Sequence, residues 1–393
     1  MVRYLSVVVS IFLVLATGCA KNPVTGRQEL HIVSTNQEIK MGEKNYLFGQ
    51  QTGGGQYNLD KELTSYVQEV GHKLAKVSDR PDLPYDFVVL NDSIPNAWAM
   101  PGGKIAVNRG LLTNLNNEAE LAAVLGHEIT HAAARHGAKS MERAIILTTG
   151  LAAANVALAT TTSSNSDALR NQAVMASAGV AVGLISTKYS RKAELEADAY
   201  GMNYMAKAGY DPKAAVSLQE TFVKLSENKS KNWLSGLFAS HPPSKERVQA
   251  NLERSKSMPQ GLTVNQERYQ QKMALLKKRT TAYAAFDKGT KAYEKKEYDN
   301  ALKLADEAIK IEPKEALFYS LRGDVYAKQN LNDKALEAYN QAIKHNDNYF
   351  YFYHQRGLML KSMGRKSEAK KDLELSQKLL PTETAGQALK QIG

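Results

Sequence analysis

The residues best suited to chemistry stand in one short segment, where the sequence reads His-Glu-Ile-Thr-His at 127–131. The flanking stretch LAAVLGHEITHAAARHG lacks proline and favours a helix. Because His127 and His131 are four residues apart, a helix places both imidazoles on one face, where they can bind a shared zinc ion. Glu128 lies between them and can take a proton from water at the open ligand position. The segment therefore predicts a metal-dependent hydrolase.

A catalytic zinc site needs a third protein ligand from elsewhere in the chain. The segment YSRKAELEADAYG at 189–201 offers three carboxylates on one predicted helix. Glu194 and Asp198 share a face of that helix, whereas Glu196 points to roughly the opposite side and is interpreted as a solvated residue. The spacing leaves open which of the pair touches the metal, although the longer side chain favours Glu194, with Asp198 accepting a hydrogen bond from the other ring nitrogen of a ligand histidine. Imidazole and carboxylate ligands suit zinc, and we expect one Zn²⁺ per chain.

The composition bounds what kind of protein carries these residues. A length of 393 residues is too great for one compact domain and indicates two or three. An apolar fraction of 43% and a charged fraction of 23% are ordinary for a globular protein and exclude a disordered or polytopic membrane chain. Cys19 is the single cysteine, which excludes an intrachain disulfide and a cysteine-rich zinc module. The net charge of +11 is spread along the chain without a nucleic-acid-binding module, so we predict no nucleic-acid partner.

The N-terminus has the plan of a secretory signal peptide over residues 1–18. An apolar run at 5–16 is too short to span a bilayer comfortably and ends in small residues. Cys19 follows directly and resembles the cysteine of a bacterial lipobox, which predicts lipidation at this position. Ala20 in place of aspartate goes, in similar lipoproteins, with transfer to the outer membrane. An ordinary signal-peptidase site would instead release a soluble periplasmic chain.

Between this segment and the tail, the pattern alternates helices with a few short strands. YDFVVL at 85–90 predicts a strand, and AWAMPGGKIAVN at 97–108 predicts two strands joined by a tight turn at Pro-Gly-Gly. Helical patterns dominate the remainder. The fold class is therefore α+β and mainly helical, with a small sheet in a body over residues 19–260 and a linker helix over residues 261–282.

The C-terminal part repeats at an interval of 34 residues. This period, with small residues at fixed places, resembles the tetratricopeptide repeat, which is a pair of antiparallel helices. We predict three units and a partial cap over residues 283–393, stacked into an all-α superhelix whose concave surface holds peptides or partner proteins. The recurring positions are Gly289, Gly323 and Gly357, then Ala301, Ala335 and Ala369, and finally Pro313, Asp347 and Pro381.

The two motifs together resemble a peptidase family. HEITH, followed by S-R-x-x-E-x-x-A-D at 190–198, is similar to the gluzincin peptidases of the HtpX and CAAX-prenyl-protease type. The resemblance implies a zincin-like metallopeptidase body and assigns roles to individual residues. Those roles are zinc ligand for His127, His131 and Glu194, support of a ligand for Asp198, and catalytic base for Glu128.

Two further segments are similar to the same family. NPVTG at 22–26 is one of them. The other, NAWAMPGGKIAVNRGLL at 96–112, resembles the edge strand along which substrate lies, where main-chain pairing is independent of substrate sequence. The residues of that predicted substrate strand are Asn96, Ala97, Trp98, Ala99 and Met100.

HPPSKERV at 241–248 also looks like an element of this family. In similar proteins the histidine that begins this turn approaches the metal. His241 is therefore a fourth ligand that keeps the enzyme latent, a transition-state donor, or a helix-entry residue without a metal role. Arg247 either stabilises an oxyanion or forms a surface salt bridge. His136, five residues past His131, is expected to point away from the metal-binding face and to be structural.

These features predict a lipid-anchored zinc endopeptidase of the bacterial cell envelope, at the outer membrane and facing the periplasm. Its expected substrates are unfolded or misassembled envelope proteins, cleaved with weak sequence specificity, and the repeats are expected to contact outer-membrane assembly machinery. The alternative is a chaperone or scaffold lipoprotein that acts through its repeats, with proteolysis latent or dispensable. The aromatic run NYFYFYHQ at 348–355 motivates that alternative, because it exceeds what repeat packing requires.

Overall fold

The computed structural model describes residues 19–144, 146, 188–228 and 236–393. The predicted signal peptide at 1–18 lies outside the described residues. Helices dominate, joined by a three-stranded and a two-stranded sheet, which confirms the mainly helical α+β class. None of the helices in these ranges combines the length and the apolar character that crossing a bilayer requires. In chain order the elements are β1 (Cys19–Lys21), β2 (Gln28–Leu30), α1 (Thr35–Thr52), α2 (Lys61–Ala75), β3 (Asp86–Leu90), β4 (Ala97–Met100), β5 (Lys104–Asn108), α3 (Arg109–Leu112), α4 (Glu118–Ala133), α5 (Arg191–Lys207), α6 (Lys213–Asn228), α7 (Leu237–Ser240), α8 (Lys245–Lys256), α9 (Gln266–Lys278), α10 (Thr280–Glu294), α11 (Tyr298–Ile311), α12 (Ala316–Lys328), α13 (Asn332–His345), α14 (Phe350–Ser362), α15 (Lys366–Leu379) and α16 (Glu383–Ile392).

The three-stranded sheet has the order β3-β5-β4, with β3 parallel to β5 and β4 antiparallel to it. Ala97 pairs with Val107, which confirms the predicted pair of strands around the Pro-Gly-Gly turn. Gly102 lies in that turn at a φ of 78°, a conformation that favours glycine, and a Cβ there would stand 2.7 Å from Ile39 Cα. The turn therefore needs glycine both for its backbone angle and for its close approach to α1.

Helix α4 carries the HEITH segment through the centre of the body. Asn117 caps its start by accepting a hydrogen bond from the backbone N–H of Glu120 at 2.9 Å, and every residue of the helix is buried. The helix crosses α5 closely, because a Cβ on Gly126 would stand only 3.0 Å from Gly201 O. The two glycines thus bring the histidines of α4 beside the carboxylates of α5.

The chain reverses sharply where α4 ends. After Ala133 the helix stops, and Arg135 adopts a φ of 61°, in the left-handed region that is costly for residues other than glycine. Buried ion pairs with Glu38 and Glu142 hold Arg135 in this conformation. The reversal turns His136 back toward the metal-binding histidines before a further helical stretch at 136–144.

The β1–β2 ribbon packs on this same end of α4. Asn22 Oδ1 accepts hydrogen bonds from the backbone N–H groups of Val24 and Thr25 at 3.0 Å each. The amide of Asn22 donates to Ala134 O, also at 3.0 Å. The NPVTG motif at 22–26 is therefore a turn that fixes the N-terminal segment to the metal-binding helix.

The segment predicted as a linker, 261–282, is part of the packed core. Helix α9 buries Tyr269, Met273 and Leu276 completely, in the same apolar cluster as residues of α4 and β5. The hydroxyl of Tyr269 also donates to Leu112 O at 2.6 Å. Within this segment, α9 and the start of α10 are helical, and the buried side chains of α9 pack in one cluster with residues of both the body and the tail.

The tail contains three successive helix pairs, α10–α11, α12–α13 and α14–α15, followed by α16. The recurring glycine explains how the two helices of a unit approach each other. A Cβ on Gly323 would stand 2.6 Å from Tyr339 Cε1, so only the smallest side chain fits there. Ala335 is likewise fully buried. The 34-residue pattern is thus a pattern of close helix contacts.

The aromatic run at 348–355 is used for packing. Phe352 is fully buried. Tyr349 covers Gly55 of the body, where a Cβ would stand 2.9 Å from Tyr349 Cδ2. The hydroxyl of Tyr351 donates to Asp324 Oδ2 at 3.0 Å. Tyr349, Tyr351 and Phe352 of the aromatic run, which suggested a scaffold that acts through its repeats, therefore have packing roles within the chain.

Polar contacts also join the body to the tail. Gln51 Nε2 donates to Asn348 O at 2.7 Å, and Gln51 Oε1 accepts from the backbone N–H of Phe350 at 2.8 Å. The guanidinium of Arg109 lies over the ring of Tyr283, 3.3 Å from its centroid. These contacts fix the repeats against the side of the body that carries the sheet.

Candidate metal centre

The two histidines of α4 converge. His127 Nε2 and His131 Nε2 lie 3.0 Å apart, and the rings meet edge to face with centroids 4.7 Å apart. Both side chains are buried, with 9% and 1% of their surface exposed. Two buried imidazole nitrogens at this distance direct their lone pairs to a common point, as the i, i+4 spacing predicts.

Helix α5 supplies the predicted carboxylate. Ser190 caps its start by accepting a hydrogen bond from the backbone N–H of Ala193 at 3.2 Å, which places Glu194 in the first turn. Glu194 Oε1 lies 3.4 Å from His131 Nε2, and Glu194 Oε2 lies 3.5 Å from His127 Nε2. Between the two carboxylates that sequence spacing left unresolved, Glu194 is the one that joins the histidine cluster.

His241 adds a fourth donor from the turn after α7. Its Nδ1 lies 3.3 Å from His127 Nε2 and 3.0 Å from Glu194 Oε1, and only 5% of the residue is exposed. Among the three predicted alternatives, this position favours a fourth ligand. The ring reaches the cluster through Nδ1, so its Nε2 is left facing Glu128.

The four donor atoms fit a zinc ion. The ligating atoms of His127, His131, Glu194 and His241 all lie within 4.8 Å of one another. Tetrahedral coordination with zinc–ligand bonds of about 2.0–2.1 Å places neighbouring donors about 3.3–3.4 Å apart. The separations of 3.0–3.5 Å given above bracket that value. Imidazole and carboxylate are also donors that zinc favours.

Asp198 and Arg247 hold two of these ligands in place. His127 Nδ1 lies 2.9 Å from Asp198 Oδ1, a bond that fixes the tautomer of the ring. Arg247 Nε and Nη2 donate to the two oxygens of Asp198 at 2.7 Å each, and Nη1 lies 2.9 Å from Glu194 Oε2. Burial opposes ionisation of Asp198, but the Arg247 guanidinium outweighs it and holds the pKa of this carboxyl below its ordinary value.

This geometry corrects the predictions for Arg247. The residue is buried, with 4% of its surface exposed, so it does not form a surface salt bridge. Its guanidinium contacts Asp198 and Glu194, which assigns it the positioning of these two carboxylates. Nη1 also donates to Pro242 O at 3.3 Å, which ties the His241 turn to the same network.

Glu128 is poised beside the cluster without being a member of it. Its Oε1 lies 3.6 Å from His241 Nε2, and its Oε2 is buried with no hydrogen-bond partner among the described residues. Burial raises the pKa of Glu128. A carboxylate with a raised pKa and a free oxygen suits a group that must both accept and return a proton.

The histidines differ in electrostatic environment. Burial lowers the pKa of His127, but Glu194 and Asp198 outweigh burial and raise that pKa to about 10. Burial also lowers the pKa of His131, which remains well below its ordinary value. Among the described residues, the partner of the outer nitrogen of His131 is His136 rather than a carboxylate.

Three side chains near His131 escaped sequence reasoning. His136 Nδ1 lies 2.8 Å from His131 Nδ1, so the expectation that His136 points away from the metal face is wrong. Glu196 lies 3.5 Å from His136 Nε2 and pairs with Arg27 at 2.6 Å, so it is not simply a solvated helix residue. Tyr189 stacks on the His131 ring with centroids 3.9 Å apart. The reversal at the end of α4 is what a helical wheel could not show.

The predicted substrate strand is β4, the outer strand of its sheet. Asn108 N donates to Asn96 O at 2.8 Å, so the backbone of Asn96 points toward β5. In an antiparallel strand the backbone N–H and C=O groups of every second residue point to the same side. This leaves the backbone groups of Ala97 and Ala99 directed away from β5. Both alanines are buried, with 0% and 5% of their surface exposed, so the strand is covered in this conformation.

Comparison with known proteins places this geometry in a family. Residues 61–255 match the model of peptidase family M48, and two tetratricopeptide repeat models match residues 323–364 and 350–382. The chain carries a peptidase family M48 domain. The matched range runs from α2 into α8 and includes every residue of the metal cluster. This M48 protein is a zinc metalloendopeptidase with a C-terminal repeat domain.

Three relatives illustrate the likeness. Beta-barrel assembly-enhancing protease from Escherichia coli (strain K12) is 27% identical over 349 residues, which is 81% of this chain and 68% of the relative. Metalloprotease YcaL from the same strain is 29% identical, over 60% of this chain and 94% of the relative. Mitochondrial metalloendopeptidase OMA1 from Schizosaccharomyces pombe is 34% identical, over 58% of this chain and 63% of the relative.

Proposed function

We propose that this M48 peptidase is a lipid-anchored endopeptidase of the bacterial cell envelope that uses one Zn²⁺ per chain. Its role is quality control or assembly of outer-membrane proteins, with unfolded clients cleaved at weak sequence specificity. The observation that carries the proposal is the cluster of three imidazoles and one carboxylate with Glu128 beside it. The name of the relative beta-barrel assembly-enhancing protease supports the role in assembly.

The residues of the centre divide the work of hydrolysis between them. His127, His131 and Glu194 would hold zinc, which when bound supplies a Lewis acid for the scissile carbonyl and lowers the pKa of water. Glu128 accepts the proton of the attacking water and delivers it to the leaving amine. Burial of the centre excludes bulk water and so strengthens the interaction of each of these groups with developing charge.

The conformation described is a closed resting state. His241 takes the fourth ligand place, which a catalytic zinc site keeps open for water or substrate. Leu237 and His241 line the cavity that reaches His127 and Glu128, so the α7 segment restricts access to the centre. Departure of the His241 turn would expose Glu128 and the three remaining ligands together.

The same turn also lies next to the proposed substrate strand. The backbone N–H of Leu237 donates to Pro95 O at 2.9 Å, directly before β4. A substrate that pairs with the outward backbone groups of Ala97 and Ala99 would therefore meet the α7 segment and His241 together. We infer that binding of an extended client and opening of the metal centre are coupled, because one segment blocks both.

Metal analysis with a casein cleavage assay tests the enzymatic proposal. The purified chain should contain one zinc per molecule, lose cleavage when zinc is removed by a chelator, and regain it on reconstitution. Activity that persists at confirmed metal loss would overturn the proposal. Mass spectrometry of the mature N-terminus tests the anchor, since an unmodified Cys19 or a terminus beyond it would reject lipidation.

His241→Ala tests the closed resting state. The variant keeps three protein ligands and should cleave casein faster than the wild type at equal zinc content. His72→Ala, which changes an exposed histidine of α2, serves as the matched control and should leave the rate unaltered. Equal or slower turnover of His241→Ala at full zinc content would show that His241 does not restrain the enzyme.

A further inference from the structure

The two zinc-binding histidines of α4 are supported by different partners. The outer nitrogen of His127 bonds to a carboxylate, that of Asp198, at 2.9 Å. The outer nitrogen of His131 lies 2.8 Å from His136 Nδ1, a distance at which one ring must donate a hydrogen and the other accept it. The second ligand is thus oriented by a neutral ring rather than by a charge.

The direction of this bond follows from the metal cluster. His131 Nε2 faces the cluster and must present its lone pair there, so the proton of His131 resides on Nδ1. His131 Nδ1 therefore donates to His136 Nδ1, which leaves the proton of His136 on Nε2. That Nε2 lies 3.5 Å from Glu196 Oε2, a carboxylate oxygen that attracts its proton. This assignment of protons gives His131 Nδ1 an acceptor and turns the N–H of His136 toward the Glu196 carboxylate.

The contacts that run from His131 through His136 to Glu196 continue to the N-terminal segment. Arg27 Nη1 donates to Glu196 Oε1 at 2.6 Å. Arg27 stands one residue after the NPVTG turn at 22–26, whose Asn22 bonds to Ala134 O at the end of α4. Asn22 therefore contacts the backbone just before His136, and Arg27 contacts the carboxylate that faces His136.

We propose that His136 is a positioning residue that sets the tautomer and orientation of the zinc ligand His131, and that Glu196 and Arg27 orient His136 in turn. The proposal rests on the zinc site of the proposed function. It assigns a task to a histidine that packing alone does not require, because packing does not demand that the two Nδ1 atoms meet within hydrogen-bonding distance. His131 would lose its acceptor, and not its ligand atom, if His136 were changed.

Zinc affinity, measured by competition with a chromophoric chelator, tests the proposal independently of cleavage. His136→Phe keeps a ring of similar size but removes the acceptor, and loss of such an outer bond typically weakens metal binding about 10–100-fold. His136→Asn carries an amide oxygen near the place of Nδ1 and should restore most of the affinity. If His136 only filled space, the order of zinc affinities would be reversed, and His136→Phe would bind zinc more tightly than His136→Asn.

Glu196→Ala provides a second route through a side chain that is less buried than His136, with 16% against 3% of its surface exposed. We expect it to weaken zinc binding about three- to tenfold, with Glu196→Gln closer to the wild type because an amide oxygen can still face His136 Nε2. Glu253→Ala removes an exposed carboxylate of α8 and is the matched control. Thermal unfolding of the metal-free variants should stay near that of the wild type.

The outcomes separate this inference from the proposed function. A wild-type chain that binds no zinc stoichiometrically would overturn the metal site itself. A wild-type chain that binds zinc tightly, with His136→Phe and Glu196→Ala binding equally well, would overturn only the role of His136. A fall in affinity that matches an equal fall in the stability of the metal-free protein would assign His136 to packing and would also overturn the proposal.

Discussion

The peptidase body and the repeat tail each bury an aspartate, and they stabilise it in opposite ways. In the body, Asp198 lies between the guanidinium of Arg247 and the ring of His127, so it is held ionised. In the tail, Asp324 is 7% exposed and accepts hydrogen bonds from neutral hydroxyls, those of Tyr339 at 2.8 Å and Tyr351 at 3.0 Å. Burial there raises the pKa of Asp324 to about 7.

The difference reflects where the partners come from. The body gathers its charges from α4, α5 and α8, which are far apart in sequence, and it places them around atoms that must receive a cation. Asp324 draws its partners from the second helix of its own repeat and from the first helix of the next repeat, and these partners are hydroxyl and amide groups. Elsewhere in the tail, Asp372 is buried in an ion pair with Arg356, so the contrast is between Asp198 and Asp324. A buried ion pair is costly to assemble, and the body accepts that cost where ligands must be held ionised.

The largest expected effect is on cleavage by the body, in the variant Glu128→Gln. The substitution removes the proposed base but leaves the zinc ligands and the Asp198 network intact, so cleavage should fall about 10²–10⁴-fold at unchanged zinc content. Casein cleavage is best measured in the His241→Ala background, where closure of the site does not limit the rate. Glu253→Gln on the surface of α8 is the control, and a Glu128→Gln enzyme that cleaves normally would separate the metal centre from catalysis.

Arg247→Met should have the largest effect on stability. It leaves Asp198 and Glu194 buried without their guanidinium, and removal of one partner from a buried ion pair costs about 3–5 kcal/mol. Urea unfolding of the body measures this loss. Arg191→Met, which removes an exposed partner of Glu246, should unfold nearly as the wild type does. Equal behaviour of the two variants would mean that the buried network contributes no more than a surface pair.

Much of this architecture is predictable from sequence because it is local. The 34-residue repeat follows from positions such as Gly323 and Ala335, which only small residues can fill. Within the site, helical spacing alone places His127 and His131 on one face and singles out the pair of carboxylates on α5.

What could not be predicted depends on contacts between distant segments. The role of Arg247 follows from its burial against α5, because the sequence alone does not show which carboxylates its guanidinium contacts. His136 is misplaced by any helical wheel, because the helix ends at Ala133 and Arg135 adopts a left-handed conformation that its sequence does not require. Long-range ion pairs with Glu38 stabilise that conformation, so the local sequence carries no signal of it.

A smaller effect is expected from pH, acting on the tail. An aspartate normally has a pKa of about 3.9, so between pH 4 and pH 7 the folded tail retains a proton on Asp324 that the unfolded chain has released. Stability should therefore fall as pH rises through this range, by about 2–3 kcal/mol between pH 5 and pH 7, and level off above it. Lys328 and Gln355 also face this carboxyl, but neither reverses the effect of burial.

Thermal unfolding followed by circular dichroism from pH 5 to pH 8 measures this dependence. Asp324→Asn should flatten the slope of the tail transition, because the amide keeps an acceptor for Tyr339 and carries no titrating proton. Asp306→Asn, which changes a more exposed carboxylate of α11, should retain the wild-type slope. A slope that survives in Asp324→Asn would place the proton elsewhere and would remove the contrast with Asp198.

The smallest effect is expected where the two regions meet. Gln51→Ala removes the amide that bonds to Asn348 O and to the N–H of Phe350, and it leaves those backbone groups without partners at the start of α14. Losing a partly buried bond of this kind costs about 0.5–1.5 kcal/mol. Gln50→Ala is the matched control, because the bond of Gln50 is to Gln56 within the body.

Hydrogen exchange read by mass spectrometry distinguishes the two glutamine variants. Gln51→Ala should speed exchange in peptides that cover residues 346–352, while Gln50→Ala should leave them protected. Since Tyr349 packs on Gly55 from the same segment, faster exchange there would show that the tail is held by the body and not only by its own repeats. Unchanged exchange in both variants would mean that the repeats keep this segment folded without help from the body.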